Sequence, residues 1–311
     1  MKALRKLSVT SAVMSFLLIF TGGLVRVSGA GLGCPDWPKC FGRWLPPISV
    51  DQLPPGIDAS QFNLTLAWIE YGNRILGMVV GLLVLATAVL AVLQAKRWKQ
   101  IWVPAVFAAV LIAYIGWQGG QVVAAALEPL LVSAHMIGAL LVASLVLYTA
   151  QQAHYVGHPE AEADSGYPRK VSRWIAVAWG AALVQSALGT QVRSALKMLM
   201  DAKPLAGENV WLNAVGPIRH VHETLGLIVA GLAVHIAVKL LRRSKQASPL
   251  VVQAAWALGI VGVLQFLLGV SMLVVSYADI LKLFHLWGAS LIVGLLLMLY
   301  VAVRQNRKGE A

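Results

Sequence analysis

Charge is scarce in this sequence, and negative charge scarcest of all. Only 12% of the 311 residues are charged, with 13 Asp and Glu against 25 Lys and Arg. A soluble domain of this size carries about twice that charged fraction, so a water-solvated globular fold is excluded. Cysteine is nearly missing as well. Cys34 and Cys40 are the whole complement, and two thiolates supply half of a structural zinc shell. The first apolar stretch lacks a clear small-residue cleavage site. Residues 7–25, behind Lys2, Arg5 and Lys6, therefore read as a retained span rather than a signal peptide.

What is there is apolar: 59% of residues are hydrophobic and the mean hydropathy is +0.74. The apolar residues fall in blocks of about 20, the length a helix needs to cross a bilayer. The pattern predicts an all-α polytopic membrane protein with eight spans, near 7–29, 64–93, 101–122, 131–152, 172–194, 216–240, 249–271 and 280–303. Basic residues gather in the connections on one side: Lys96, Arg97, Lys99, Arg169, Lys170, Arg173, the run from Lys239 to Lys245, and Arg304, Arg307 and Lys308. The other side carries chiefly Lys39, Arg43, Lys197 and Lys203. By the positive-inside rule both termini are cytoplasmic, in a multi-pass cell inner membrane protein. Orientation thus accounts for the net charge of +12, and no nucleic acid partner is implied.

The outer loops are unequal. Residues 30–63 form a long Pro- and Gly-rich loop holding both cysteines, and residues 195–215 form another. The segments 123–130 and 272–279 read as tight turns. An extracytoplasmic cysteine pair with prolines between favours a Cys34–Cys40 disulfide, with a redox-active thiol pair or two unlinked cysteines as alternatives. The 153–170 connection, with His154 and His158, reads as a solvated cytoplasmic linker.

The two halves of the chain echo each other. His135-Met136-Ile137-Gly138-Ala139 matches His285-Leu286-Trp287-Gly288-Ala289 at an offset of 150 residues. Asn73-Arg74-Ile75-Leu76-Gly77 matches His222-Glu223-Thr224-Leu225-Gly226 at an offset of 149. Gly120 pairs with Gly269 at 149, and Gly22-x-x-x-Arg26 resembles Gly189-x-x-x-Arg193. Two tandem four-helix units are expected, residues 1–152 and 171–311, joined by the 153–170 linker and inserted with the same orientation.

In the second unit His222 and His285 stand on two helices at similar depth, a natural bis-axial pair for a haem iron. The first unit offers His135 but has Asn73 where the repeat calls for histidine. In its place stand Glu70, one helical turn outward on the same face, and Arg74. A carboxyl at a membrane-buried helix end must be paired, protonated or used, and an ion pair with Arg74 or Arg26 would satisfy it. Arg26 and Arg193 can snorkel to headgroups or pair with carboxylates such as haem propionates. His220 points to another face than His222, and Gln118, Gln185 and Gln265 read as interhelical hydrogen bonders.

Several stretches together resemble the haem A synthase family. They are Gly22-Gly23-Leu24-Val25-Arg26 through Gly33-Cys34-Pro35-Asp36-Trp37-Pro38-Lys39-Cys40, Glu70-x-x-x-Arg74, Leu188-Gly189-Thr190-Gln191-Val192-Arg193, and the histidines at 135, 222 and 285. The resemblance implies a membrane oxidoreductase that hydroxylates the C8 methyl of haem O in successive steps to the geminal diol, which loses water to give the formyl of haem A. It implies haem B held by His222 and His285, substrate haem held by His135, an essential glutamate at Glu70, and a paired Cys34 and Cys40. Glu70 would orient or shuttle protons, while Arg26 or Arg74 could anchor a propionate. Implied partners are haem O, the haem O synthase that makes it, an electron donor the sequence does not identify, a thiol–disulfide partner if the cysteine pair exchanges, and the lipid bilayer. Homo-oligomerisation stays open. The family's histidine three residues after the glutamate is Asn73 here, which would leave substrate haem five-coordinate with an open face for dioxygen. Two rival classes remain. One is a non-catalytic haem B-binding membrane protein for haem delivery, oxidase assembly or electron transfer. The other is a secondary transporter, suggested by the tandem repeat alone.

Overall fold

In the bilayer core a backbone N–H or C=O finds no water, so a spanning chain must satisfy those groups within one helix or a closed barrel. The computed structural model takes the helical solution. It describes residues 1–158, 167, 169–243, 247–275 and 278–305. Lys245, Arg307, Lys308 and the acidic part of the 153–170 linker lie outside them. The helices are α1 (Lys2–Val27), α2 (Leu64–Gln94), α3 (Lys99–Ala124), α4 (Pro129–Gly157), α5 (Arg169–Ala202), α6 (Glu208–Ala214), α7 (Pro217–Leu241), α8 (Pro249–Val274) and α9 (Asp279–Gln305). All except the short α6 are long and apolar enough to cross a membrane, eight among the described residues. The chain is therefore an all-α, polytopic membrane protein.

The helix starts follow from local chemistry. The Asn63 side chain accepts from the Leu66 amide and caps α2, and the Glu128 side chain accepts from the Leu131 amide ahead of Pro129. Pro217 and Pro249 open α7 and α8 where the missing N–H costs nothing. The helices are inside out relative to those of a soluble protein. On α2 a stripe of Met78, Leu82, Leu85, Val89 and Leu93 is exposed, while Ala67, Thr87, Ala88 and Ala91 are buried. Lipid tails accept the large apolar residues, and small and hydroxyl side chains share the buried face of α2 with Val80 and Val84. Ser11 and Thr87 hydrogen bond at 2.9 Å across the α1–α2 contact.

Packing neighbours are ordered. α1 packs on α2 and α4, and α3 on the same two. Likewise α5 packs on α7 and α9, and α8 on those two. α1 and α4 then meet α5 and α9. Three sequence expectations change. α5 runs on to Ala202 and the 195–215 loop contains α6, so much of that loop is helical. α4 continues through residues 153–157, taking up the start of the expected linker. There His154 and His158 stack at 5.0 Å, and Arg5 contacts His158 at 2.8 Å.

Gly33 shows how closely the outer loop lies on α2: a Cβ there would sit 2.5 Å from the Leu66 carbonyl oxygen, which the helix holds in place. Gly33→Ala is expected to destabilise by about 1–3 kcal/mol, the usual cost of overpacking. Gly72→Ala, with nothing within 4 Å of its Cβ, should be neutral or stabilise by about 0.5–1 kcal/mol. Thermal unfolding of both variants in the same detergent checks the contrast.

Candidate functional site

The N-terminal ends of α2 and α7 carry the polar residues that the sequence singles out. In α2, Glu70 is 4% exposed and both its carboxylate oxygens are engaged. One accepts from Arg74 at 2.5 Å and the other from the Cys34 amide at 2.7 Å. Arg74 also donates to the carbonyls of Asp36 (2.8 Å), Lys39 (2.7 Å) and Cys34 (3.3 Å). The pair therefore grips the loop that the Cys34–Cys40 disulfide closes, whose two cysteines are fully buried. Of the alternatives open for the cysteines, the linked pair is the one present. Of those open for Glu70, the partner is Arg74.

The repeat carries this pair over with its charges exchanged. At an offset of 149 residues, Arg219 stands for Glu70 and Glu223 for Arg74, and they too form an i,i+4 ion pair, at 2.6 Å. His220, with its side chain 73% exposed, adds a 3.3 Å contact to Glu223. Extending the 149-residue offset to charged residues would have found this pair from sequence.

Each of the three candidate histidines turns its Cε1 edge to a glycine of a neighbouring helix. A Cβ on Gly189 of α5 would come 2.9 Å from His222 Cε1, and one on Gly269 of α8 3.4 Å from His285 Cε1. For His135 the glycine is Gly119, at 3.3 Å. Gly119, not the expected Gly120, is thus the counterpart of Gly269, which restores the same 150-residue offset that relates His135 to His285. The structure brings His222 and His285 together, ring centroids 6.5 Å apart and planes at 72°. Gln185 Nε2 donates to His222 Nδ1 (2.9 Å) and to the His222 carbonyl (2.8 Å), a role that its apolar surroundings in sequence concealed. His285 Nδ1 and His135 Nδ1 are buried without a hydrogen-bond partner.

Asn73 occupies the first-half counterpart of the His222 position. It faces Gly22 as His222 faces Gly189, with 3.9 Å left to a Cβ, and its Oδ1 accepts from Thr21 at 2.8 Å. Leu18 stands where the repeat puts Gln185, and Leu188 where it puts Thr21. The partner has changed along with the residue it holds.

The two arginines of the repeat also diverge. Arg26 donates to the Thr190 carbonyl (2.9 Å) and Ser194 (3.3 Å) and touches Met136 Sδ (2.9 Å), tying α1 to α4 and α5. Arg193, one turn outward of Gly189, keeps Nε and Nη1 buried without a partner. Ser133 and Thr190 bond to each other beside this contact, and Gln191 donates to Ser133 at 2.7 Å.

A family model for COX15-CtaA, the cytochrome oxidase assembly protein family, matches residues 5–297. The chain belongs to that family. Among curated relatives, the heme A synthase of Shewanella oneidensis is 32% identical over 138 residues, 43% of this chain and 41% of that protein. The heme A synthase of Cereibacter sphaeroides is 31% identical over 203 residues (56% and 50%), and that of Shouchella clausii 29% over 150 (48% and 45%). The matched stretch thus spans half or less of each of these relatives.

Two contrasts test the geometry. Arg74→Gln leaves a buried carboxylate unpaired and is expected to cost about 3–5 kcal/mol. Arg219→Gln, whose partner Glu223 has a side chain 28% exposed, should cost about 1 kcal/mol or less. Chemical unfolding of both variants checks the difference.

Proposed function

We propose that this COX15-CtaA family member is a haem A synthase, oxidising the C8 methyl of haem O to a formyl group by successive hydroxylations. In this reading residues 1–152 form the substrate unit and residues 171–311 a haem B unit, products of a duplication. The 153–170 connection is cytoplasmic, as are both termini in the cell inner membrane. The observation that carries the proposal is the facing pair His222 and His285. Nitrogen ligands bond a first-row metal at about 2.0–2.1 Å, so two imidazoles sharing one iron have centroids roughly 6 Å apart. The measured 6.5 Å fits. Gly189 and Gly269 leave no side chain between the rings and their helices. Two side-chain ligands complete an iron's shell when a macrocycle supplies the others.

The haem supplies the redox chemistry when bound. The chain's own residues bind and orient. His222 and His285 would ligate haem B. A ligating histidine donates its other ring N–H, so Gln185 would then hold the His222 ring through Oε1, its amide turned from the present arrangement in which Nε2 donates to Nδ1. Arg193, whose Nε and Nη1 are buried without a hydrogen-bond partner, would take a propionate, since a buried polar group left unpaired is costly. In the first unit His135 would hold the substrate iron and leave the face toward Asn73 open. Arg26 and Arg74 are committed to protein carbonyls. A propionate there would have to displace one of those bonds. Glu70 would hold or move a proton by exchanging its bond to Arg74 or to the Cys34 amide. Haem O synthase as supplier, a separate electron donor, a thiol partner for the disulfide and self-association into a homo-oligomer belong to the same reading.

One observation favours a second reading. Asn73 is satisfied by Thr21 rather than held ready for a ligand, as suits a protein that binds haem B without catalysis and serves haem delivery, oxidase assembly or electron transfer. Extraction and mass analysis of haem from cells making haem O separates the two. Haem A or its hydroxylated intermediate, present only with this protein, supports the synthase. Haem O left unconverted, with electron donor and oxygen present and haem B still bound, supports the carrier.

A further inference from the structure

We propose that Trp37 is the outer wall of the His135 site and sets which flat ring system can enter beside that histidine. The inference rests on the reading that His135 marks a site for a haem-like macrocycle, and it names the residue that selects for it. Trp37 is the tip of the loop closed by Cys34 and Cys40. Its ring lies on Gly120 of α3, where a Cβ would come 2.8 Å from Trp37 Cδ2. Gly120 follows Gly119, the glycine against which the His135 ring lies at 3.3 Å. The indole and the imidazole therefore meet the outer end of α3 at consecutive residues.

Nothing about this loop is loose. Arg74 donates to carbonyls on both sides of Trp37, those of Asp36 and Lys39, and Glu70 accepts from the Cys34 amide. Asp36 accepts from the Gly42 amide at 2.9 Å and braces the ring from within. A second contact joins the loop to the α3–α4 turn. Leu127, at the left-handed φ of 65°, puts its side chain 3.1 Å from a Cβ built on Gly31. The loop is thus fixed to α2 by charge and to the top of α3 and α4 by close packing, with a large aromatic face left 47% exposed. A rigid indole of this kind offers a flat apolar ligand a stacking surface at small entropic cost. The buried Glu70–Arg74 pair acts through it as a positioning device. The charge-exchanged pair in the second half shows that the helix itself tolerates either order; the order in α2 is the one that puts the carboxylate at the Cys34 amide and the guanidinium at the loop carbonyls.

The test needs neither haem nor turnover, so its failure is separate from that of the proposed function. Haem-free full-length protein in detergent is treated with diethylpyrocarbonate, and modification of each histidine is followed by mass spectrometry. Trp37→Ala is expected to speed modification of His135 at least fivefold while His285 stays at the wild-type rate, and Trp37→Phe should keep His135 slow. Gly120→Ala, which pushes the indole off α3 while the loop keeps its own residues, should also expose His135 and serves if Trp37→Ala fails to fold. An unchanged His135 rate in the folded variants overturns the proposal. So does a rise shared equally by His285, because that would report general loosening rather than loss of a wall.

Discussion

Close approach of an imidazole to a bare helix backbone is the contact on which the rest of this molecule depends. Three histidines, at positions 135, 222 and 285, each lie against a glycine of the neighbouring helix. In each case Cε1 is the ring atom nearest the glycine, so the imidazole edge is set by the backbone of the neighbouring helix. In a bilayer the arrangement is costly to leave half made, because no water reaches an unpaired polar atom. The glycines, the hydroxyl-lined helix contacts and the glutamine at His222 all answer that constraint. The fold around them suits its solvent: large apolar side chains line the exposed helix faces, and alanine, glycine and hydroxyl residues share the helix contacts with buried leucine, isoleucine and valine.

The two halves differ where chemistry would need them to. In the second, two rings face each other and Gln185 holds one of them. In the first, one ring stands without its expected counterpart, since the counterpart is an asparagine with a threonine as its own partner. The ion pair above is likewise retained with its charges exchanged, and only the first-half version grips a disulfide-closed loop. In the proposed reading, the half with the histidine pair would hold a permanent cofactor and the half with Asn73 a molecule that comes and goes.

The spans were legible because a bilayer enforces length and hydropathy on every crossing helix, and all eight appear near their expected positions. His222 with His285 was legible from the repeat, since helices of equal depth carry them to one level. The register at Gly119 and Gly120 differed by one residue because two offsets, 149 and 150, run through the repeat; the 150-residue offset of His135 and His285 selects Gly119, and packing confirms it. Gln185 is the interhelical hydrogen bonder expected, but its partner His222 was not legible, because a lone glutamine in an apolar span looks the same whether it meets a backbone or an imidazole. The part of the 195–215 loop taken up by α5 and α6 was read as irregular for want of a continuous apolar face. The commitment of Arg74 to three loop carbonyls depends on where residues 34–39 fold back, which no local pattern encodes.

The account stands or falls on the claim that this chain builds a single bis-histidine haem site, in its second half. Low-temperature electron paramagnetic resonance of the purified protein, with haem quantified per chain, tests it most directly. The account predicts one low-spin bis-imidazole haem that is lost in both His222→Ala and His285→Ala and retained in His135→Ala. A low-spin signal that survives both second-half substitutions, or that vanishes with His135→Ala alone, would contradict it.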